Sequence, residues 1–187
     1  TSGAVTLAVP AEAGTRTLTL PAETGTVLTS VTAGTILQVV SATKTDTFST
    51  ATVDSFVDIT GMSVAITPSA TSSKILVLYD VQMSGTELFF LQLVRASTAI
   101  KVGDSDGASR IECTVGGFIQ ASNNDKVAPA AGTFLDAPNT TDATTYKLQG
   151  RVYSATKSFS LNRTINDTNA TYSGRGASTI TVMEVAG

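Results

Sequence analysis

The stretch KILVLYDVQMSGTELFFLQLVR, residues 74–95, is the most apolar part of the chain and decides its fold class. Its two halves, Lys74–Met83 and Glu87–Arg95, are rich in aliphatic and aromatic residues that fit pleated surfaces. The first half predicts a central strand, and the second predicts a strand that follows it. No part of the chain shows the sustained i, i+3, i+4 apolar spacing of a helix, so we expect an all-β protein.

Similar short runs extend from Thr35 to the C-terminus, with turn-forming residues between them. Further strands are predicted at Ile36–Ser41, Lys44–Ser49, Ser55–Ile59, Met62–Thr67, Thr98–Val102, Arg110–Ala121, Thr133–Leu135, Thr144–Ser154, Ser158–Leu161 and Ser178–Val185. The segment Ala128–Gly132 is predicted to be a loop. Many short strands with frequent turns predict a jelly-roll-like β-sandwich over residues 35–187, a length that can bury its own core.

Residues 1–34 differ because they contain a repeat. Thr6–Thr15 reads TLAVPAEAGT and Thr17–Thr26 reads TLTLPAETGT. Each copy predicts a short strand that stops at Pro and turns near Gly. A unit this small cannot bury its apolar side alone, so it gains a core from its neighbours or from other chains. We therefore expect residues 1–34 to form an extended β stalk. The alternative is a flexible linker that carries a duplication.

The composition excludes several kinds of chemistry. The chain has no His and one Cys, which excludes a His-dependent catalytic triad, an ordinary catalytic zinc site and an internal disulfide. A net charge of −3 with scattered basic residues argues against binding to nucleic acid. The longest apolar runs, Ile75–Tyr79 and Leu88–Leu91, are too short to insert into a membrane. We expect no cofactor and no enzymatic activity.

Four segments of the chain are similar to the C-terminal region of virion fibre proteins from tailed bacteriophages, most of all marine phages. They are Thr17–Ser30, Gly34–Thr50, Asp58–Val81 and Gly174–Gly187. The resemblance implies a homotrimeric β appendage on the virion, with a repetitive stalk and a jelly-roll head. It implies that other virion proteins are joined through the N-terminal segment. It supplies no catalytic residues, and it leaves the location on tail or capsid open.

The function expected from this resemblance is attachment to a glycan or protein on the host surface. One alternative is a capsid decoration, cement or capsid-fibre protein that binds no receptor. Another is a subunit of a bacterial surface filament, which would polymerise through residues 1–34. Loops on a rigid β scaffold are where binding residues usually lie.

The polar loops supply the candidate receptor-binding residues. Amide, carboxylate and guanidinium groups can hydrogen-bond sugar hydroxyls, and a tyrosine ring can stack under a sugar. The candidates are Asn139, Asp142, Asn166, Asn169, Tyr172 and Arg175. The alternative is that these residues are solvated loop positions or lie between subunits.

Acidic residues offer weak candidates for a metal site or for catalysis. Asp104 and Asp106 stand two residues apart beside Gly107, as at the start of a calcium loop, but the rest of the EF-hand pattern is absent. We therefore predict a plain turn and no metal. A glycosidase needs two facing carboxyl groups. The available donors are Asp104, Asp106, Glu112, Asp136 and Asp142, and their spacing pairs none of them.

Overall fold

The structure, a computed structural model, describes residues 32–104, 107, 109–118 and 125–187. Within these residues the chain is all-β, as predicted, and contains no helix that could cross a membrane. Val31–Gly187 forms one compact unit. The predicted stalk, residues 1–34, lies outside the described residues except for its last three positions.

Eleven strands make up the described part of the chain, and all their pairings are antiparallel. They are β1 (Ile36–Lys44), β2 (Phe48–Thr50), β3 (Val57–Ile66), β4 (Lys74–Gly85), β5 (Leu88–Arg95), β6 (Thr98–Ile100), β7 (Val115–Phe118), β8 (Ala128–Asp136), β9 (Thr144–Val152), β10 (Phe159–Leu161) and β11 (Ser178–Val185).

The strands form two sheets that make a sandwich. Sheet I has the order β1-β11-β4-β8, and the short pair β10-β2 continues it beside the end of β4. Sheet II has the order β3-β9-β5, and β5 also pairs with β6 and β7. From β3 to β5 and again from β8 to β11, the long strands alternate between the sheets. The described residues thus form an antiparallel β-sandwich with jelly-roll-like winding, which confirms the predicted all-β sandwich over residues 35–187.

The core lies between the sheets and follows the period of two in each strand. In β4 the inward side chains of Ile75, Val77 and Val81 are fully buried, and in β9 Tyr146 and Leu148 are fully buried. The rings of Phe89 and Phe159 stack with their centroids 5.0 Å apart.

Several strand predictions are wrong in detail. Lys44–Ser49 is divided between β1 and β2, and the described part of Arg110–Ala121 is strand at Val115–Phe118. Ala128–Gly132, predicted as a loop, is the first part of β8 and pairs with Tyr79–Met83. Its Ala, Pro and Gly residues have low strand propensity. Among the described strands β8 pairs with β4 alone, and an edge strand tolerates a proline that lacks an N–H. The runs predicted on either side of Gly61 join into the single strand β3, where Gly61 has φ +84° and the register shifts.

The sandwich has two ends that differ in what they carry. At the near end, the backbone of Gly34 and Thr35 hydrogen-bonds Ala186, and the loop 137–143 joins β8 to β9. At the far end, the long loop 162–177 joins β10 to β11. Strand β4 runs between the ends, and Ile75 and Gln82 are about 23 Å apart at about 3.3 Å per residue.

A buried carboxylate fixes the near end. Glu184 is 1 % exposed, and its Oε1 accepts hydrogen bonds from the Ser69 N–H (2.7 Å), the Ser69 hydroxyl (2.6 Å) and the Ser73 hydroxyl (2.7 Å). Its Oε2 accepts one from Gln38 Nε2 (2.6 Å). Burial alone raises the pKa of Glu184, but these hydrogen bonds outweigh it and lower the pKa to about 2. The carboxylate thus ties the β3–β4 turn to β1 and β11.

Candidate functional site

The long loop at residues 162–177, here called the far-end loop, is held in place by Asn162. This residue is fully buried, and its Nδ2 donates hydrogen bonds to the carbonyl oxygens of Lys44 (2.8 Å) and Asp46 (3.0 Å). Its Oδ1 accepts one from the Ser178 hydroxyl (2.6 Å). The backbone has φ +61°, a left-handed conformation that asparagine tolerates better than most residues. Every polar group of its side chain is therefore used to anchor the loop.

Two arginines of the far-end loop converge on one carboxylate. Arg163 and Arg175 stand opposite each other in an isolated antiparallel bridge. Arg163 Nη1 lies 3.0 Å from Asp167 Oδ2, and Arg175 Nη2 lies 2.6 Å from Asp167 Oδ1. The Asp167 N–H donates a hydrogen bond to the Thr164 hydroxyl (3.2 Å). The cluster carries one more positive charge than negative.

A shallow depression of about 210 Å³ opens beside this cluster. It is lined by five polar or charged residues and one alanine: Asp167, Thr168, Asn169, Ala170, Ser173 and Arg175. Arg175 is 59 % exposed and Asp167 is 27 % exposed. The volume corresponds to about seven water molecules, which suits one small hydrophilic group rather than an extended ligand.

The structure brings four of the six predicted receptor-binding residues into the far-end loop. Asn169 and Arg175 line the depression. Tyr172 is 63 % exposed, and exposed Asn166 donates a hydrogen bond to Asp125 Oδ1 (3.0 Å).

The other two predicted residues do not join them. Asn139 and Asp142 are exposed in the loop 137–143, which lies at the near end of the sandwich. The loop 137–143 follows β8 beside Ile75, and the far-end loop follows β10 beside Met83, near the other end of β4. The six residues therefore cannot form a single site within one chain.

The acidic candidates for metal binding or catalysis do not assemble in the described residues either. Asp104 is exposed in the loop after β6, and Asp106 lies outside the described residues. Among the residues that the structure describes, no three His, Cys, Asp or Glu side chains gather closely enough to hold a metal ion. Asp136 is buried, and it accepts hydrogen bonds from Arg95 Nη1 (2.9 Å) and the Tyr146 hydroxyl (2.6 Å).

Comparison with known proteins adds no family. No protein-family model and no curated protein sequence matches the chain. The geometry of the far end and the sequence resemblance therefore remain as the indications of function.

Three residues of the far-end site are not among the predicted receptor-binding residues: Asn162, Arg163 and Asp167. A signal for two of them exists, because Arg163 and Asp167 are four residues apart with opposite charges. Asn162 gives no such signal, since the carbonyl groups that it binds are more than a hundred residues away in the sequence.

A second surface, on the outer face of sheet I, is apolar. Val39, Met183, Leu76 and Leu135 are paired in register, so their side chains form one row across the four strands. Val39 is 55 % exposed and Leu135 is 54 % exposed. Exposed apolar patches on a folded protein are common at interaction sites. We call it the apolar row.

Proposed function

We propose that this chain is the distal part of a bacteriophage fibre, a virion protein that attaches to a glycan or protein on the host surface through its far-end loop. The observation that carries the proposal is the far-end loop itself. It is a long polar loop, anchored by a fully buried asparagine, and it presents exposed Asn, Tyr and Arg side chains at the end of the sandwich opposite the start of β1. A rigid scaffold with polar binding groups at its tip is suited to recognition.

The sequence resemblance to phage fibre proteins supports the same reading. The described part of the chain also has the all-β sandwich that the resemblance implies. Nothing in the described residues assembles two facing carboxyl groups at the far-end depression, where Asp167 is engaged by two arginines. We therefore propose binding without catalysis.

The apolar row supports self-association. We propose a homotrimer, in which another copy covers this row and the repeat in residues 1–34 gains its core from the other chains. Trimers would raise the apparent affinity of weak single sites by avidity. In solution the chain should have the mass of three 19.2 kDa subunits. Leu135→Asp should reduce that mass to one subunit, and Tyr153→Asp, an exposed aromatic away from the row, should not.

Competition for adsorption tests the attachment function. The purified chain, residues 1–187, should block adsorption of the virus to its host. The double variant Tyr172→Ala, Arg175→Gln should block about tenfold less well because it loses an aromatic surface and a charged donor. The matched control is Asn139→Gly, Asp142→Ala at the near end, which should compete like the wild type. If the near-end and far-end variants lost their ability to block adsorption equally, that result would contradict a far-end site.

The same experiment separates the alternatives. A decoration or cement protein would bind capsids and would leave adsorption unchanged. A filament subunit would form open polymers rather than a discrete oligomer, which a mass measurement in solution would reveal.

A further inference from the structure

The charge of the far-end depression points to the kind of ligand. Arg163 and Arg175 face one carboxylate, Asp167, so one positive charge remains uncompensated within the cluster. The chain as a whole has a net charge of −3. A local positive excess on a negatively charged protein selects an anionic group at that position.

The guanidinium of Arg175 is the group available to such a ligand. It is 59 % exposed, and within the described residues its one ion-pair partner is Asp167. A guanidinium carries five N–H donors in a planar fork, and one contact to Asp167 leaves the rest of that fork facing the depression and solvent. Arg163 is 24 % exposed and is also hydrogen-bonded to Ser160, so it is the less accessible of the two.

Asp167 does not repel an incoming anion as a free carboxylate would. Each of its oxygens faces a guanidinium group, at 2.6 Å and 3.0 Å. The two guanidinium groups neutralise Asp167, and Asp167 in turn holds Arg175 at the wall of the depression. Asp167 is thus a positioning residue for Arg175.

The remaining lining groups suit a hydroxylated ligand. Thr168 and Ser173 supply hydroxyl groups, and Asn169 supplies an amide that both donates and accepts hydrogen bonds. At about 210 Å³ the depression has room for one sugar unit. Tyr172, in the same loop, offers an exposed ring surface close along the chain.

We propose that the far-end depression binds a single negatively charged sugar unit, with its anionic group on Arg175 and its hydroxyl groups on Thr168, Asn169 and Ser173. The anion is a carboxylate, as in a uronic or other acidic sugar, or a phosphate on a sugar, because a guanidinium fork pairs with either. This inference rests on the proposed function, since it names the receptor class of the same site.

Calorimetry with defined sugars tests the inference on the chain of residues 1–187. The probes are a glucuronic acid oligosaccharide, a sugar phosphate, the matching neutral glucose oligosaccharide and inorganic phosphate. One of the two anionic sugars should bind at least about tenfold more tightly than the neutral one, with an affinity that falls as salt is raised. The stronger of the two identifies the anion. Inorganic phosphate should bind weakly, because it cannot use the hydroxyl contacts.

Three variants assign the contact. Arg175→Gln should weaken binding of the anionic sugar by about 10- to 100-fold, and Arg175→Lys should recover part of the loss because it keeps the charge but not the fork. Lys126→Gln, which removes an exposed basic residue of the loop before β8, should bind like the wild type. Circular dichroism of each variant establishes that it is folded.

The outcomes that overturn the inference are distinct from those that overturn the proposed function. Equal affinity for anionic and neutral sugars, binding of neither anionic sugar, or full affinity in Arg175→Gln would each overturn the inference. If far-end variants still lose competition for host adsorption, the proposed function stands while the sugar class is wrong. If the anionic sugar binds but the chain never competes for adsorption, the inference stands and the attachment function is wrong.

Discussion

Replacement of Glu184 by Gln should make the free energy of unfolding less dependent on pH in the acidic range. Glu184 is 1 % exposed, so its charge is stabilised by hydrogen bonds within the protein and not by water. Those hydrogen bonds lower its pKa from 4.5 to about 2 in the folded chain. One pKa unit corresponds to about 1.36 kcal/mol, so ionised Glu184 contributes about 3 kcal/mol to the free energy of unfolding at neutral pH.

The sign follows from the direction of the shift. A carboxyl with a lowered pKa in the folded state contributes its full stabilisation above the pKa of the unfolded chain, which is 4.5. As the pH falls from 4.5 towards 2, the unfolded chain takes up the proton first and the contribution is lost. Glu184→Gln cannot ionise, so it lacks this part of the pH dependence.

Urea unfolding followed by circular dichroism measures the effect, at pH 7, 4.5, 3 and 2 and at one fixed chain concentration. The wild type should be more stable than Glu184→Gln at pH 7, and this difference should shrink by about 3 kcal/mol by pH 2. Glu112→Gln, at an exposed position, is the matched control and should stay within about 0.5 kcal/mol of the wild type. A difference between wild type and Glu184→Gln that stays constant from pH 7 to pH 2 would refute the reasoning.

Three further substitutions test individual contacts. Asn162→Ala removes three hydrogen bonds and places alanine at φ +61°. It should lower the free energy of unfolding by roughly 3–5 kcal/mol and speed hydrogen exchange in the far-end loop. A loss under about 1 kcal/mol in urea unfolding would argue against the role of Asn162 as the anchor. Tyr146→Phe removes the 2.6 Å hydrogen bond from the Tyr146 hydroxyl to Asp136 and should lower the free energy of unfolding by about 1.5–3 kcal/mol. The urea midpoint should fall while the slope stays the same, and an unchanged midpoint would contradict this. Gly150→Ala would set a Cβ 2.5 Å from the Phe159 ring in the core. It should lower the free energy of unfolding, measured by thermal unfolding, by about 1–3 kcal/mol. A neutral effect would mean that the ring has room to move.

The sequence predicts strands well where one face of a strand is buried. β11 matches its predicted bounds, Ser178–Val185, because buried and half-buried residues alternate along its whole length. β8 was missed in its first part because Ala, Pro and Gly carry little strand preference. That segment is held in the sheet by its pairing with β4, which is a tertiary effect.

The candidate site was predicted in part for a similar reason. Polar composition marks both the loop 137–143 and the far-end loop, but composition does not say at which end of the sandwich a loop lies. The strand order decides that, and it separates Asn139 and Asp142 from Asn169 and Arg175. The sequence does not distinguish Asn162 from other loop residues, because the carbonyl groups of Lys44 and Asp46 that it binds are distant in the sequence.

The location of this chain in an intact particle tests the central claim most directly. Gold-labelled antibodies raised against the purified chain would be imaged on whole virions by electron microscopy. We expect label at the distal ends of fibres, and we expect added free chain to compete for the antibodies and remove that label. Label spread over the capsid shell, or on bacterial filaments instead of virions, would contradict the proposed attachment function.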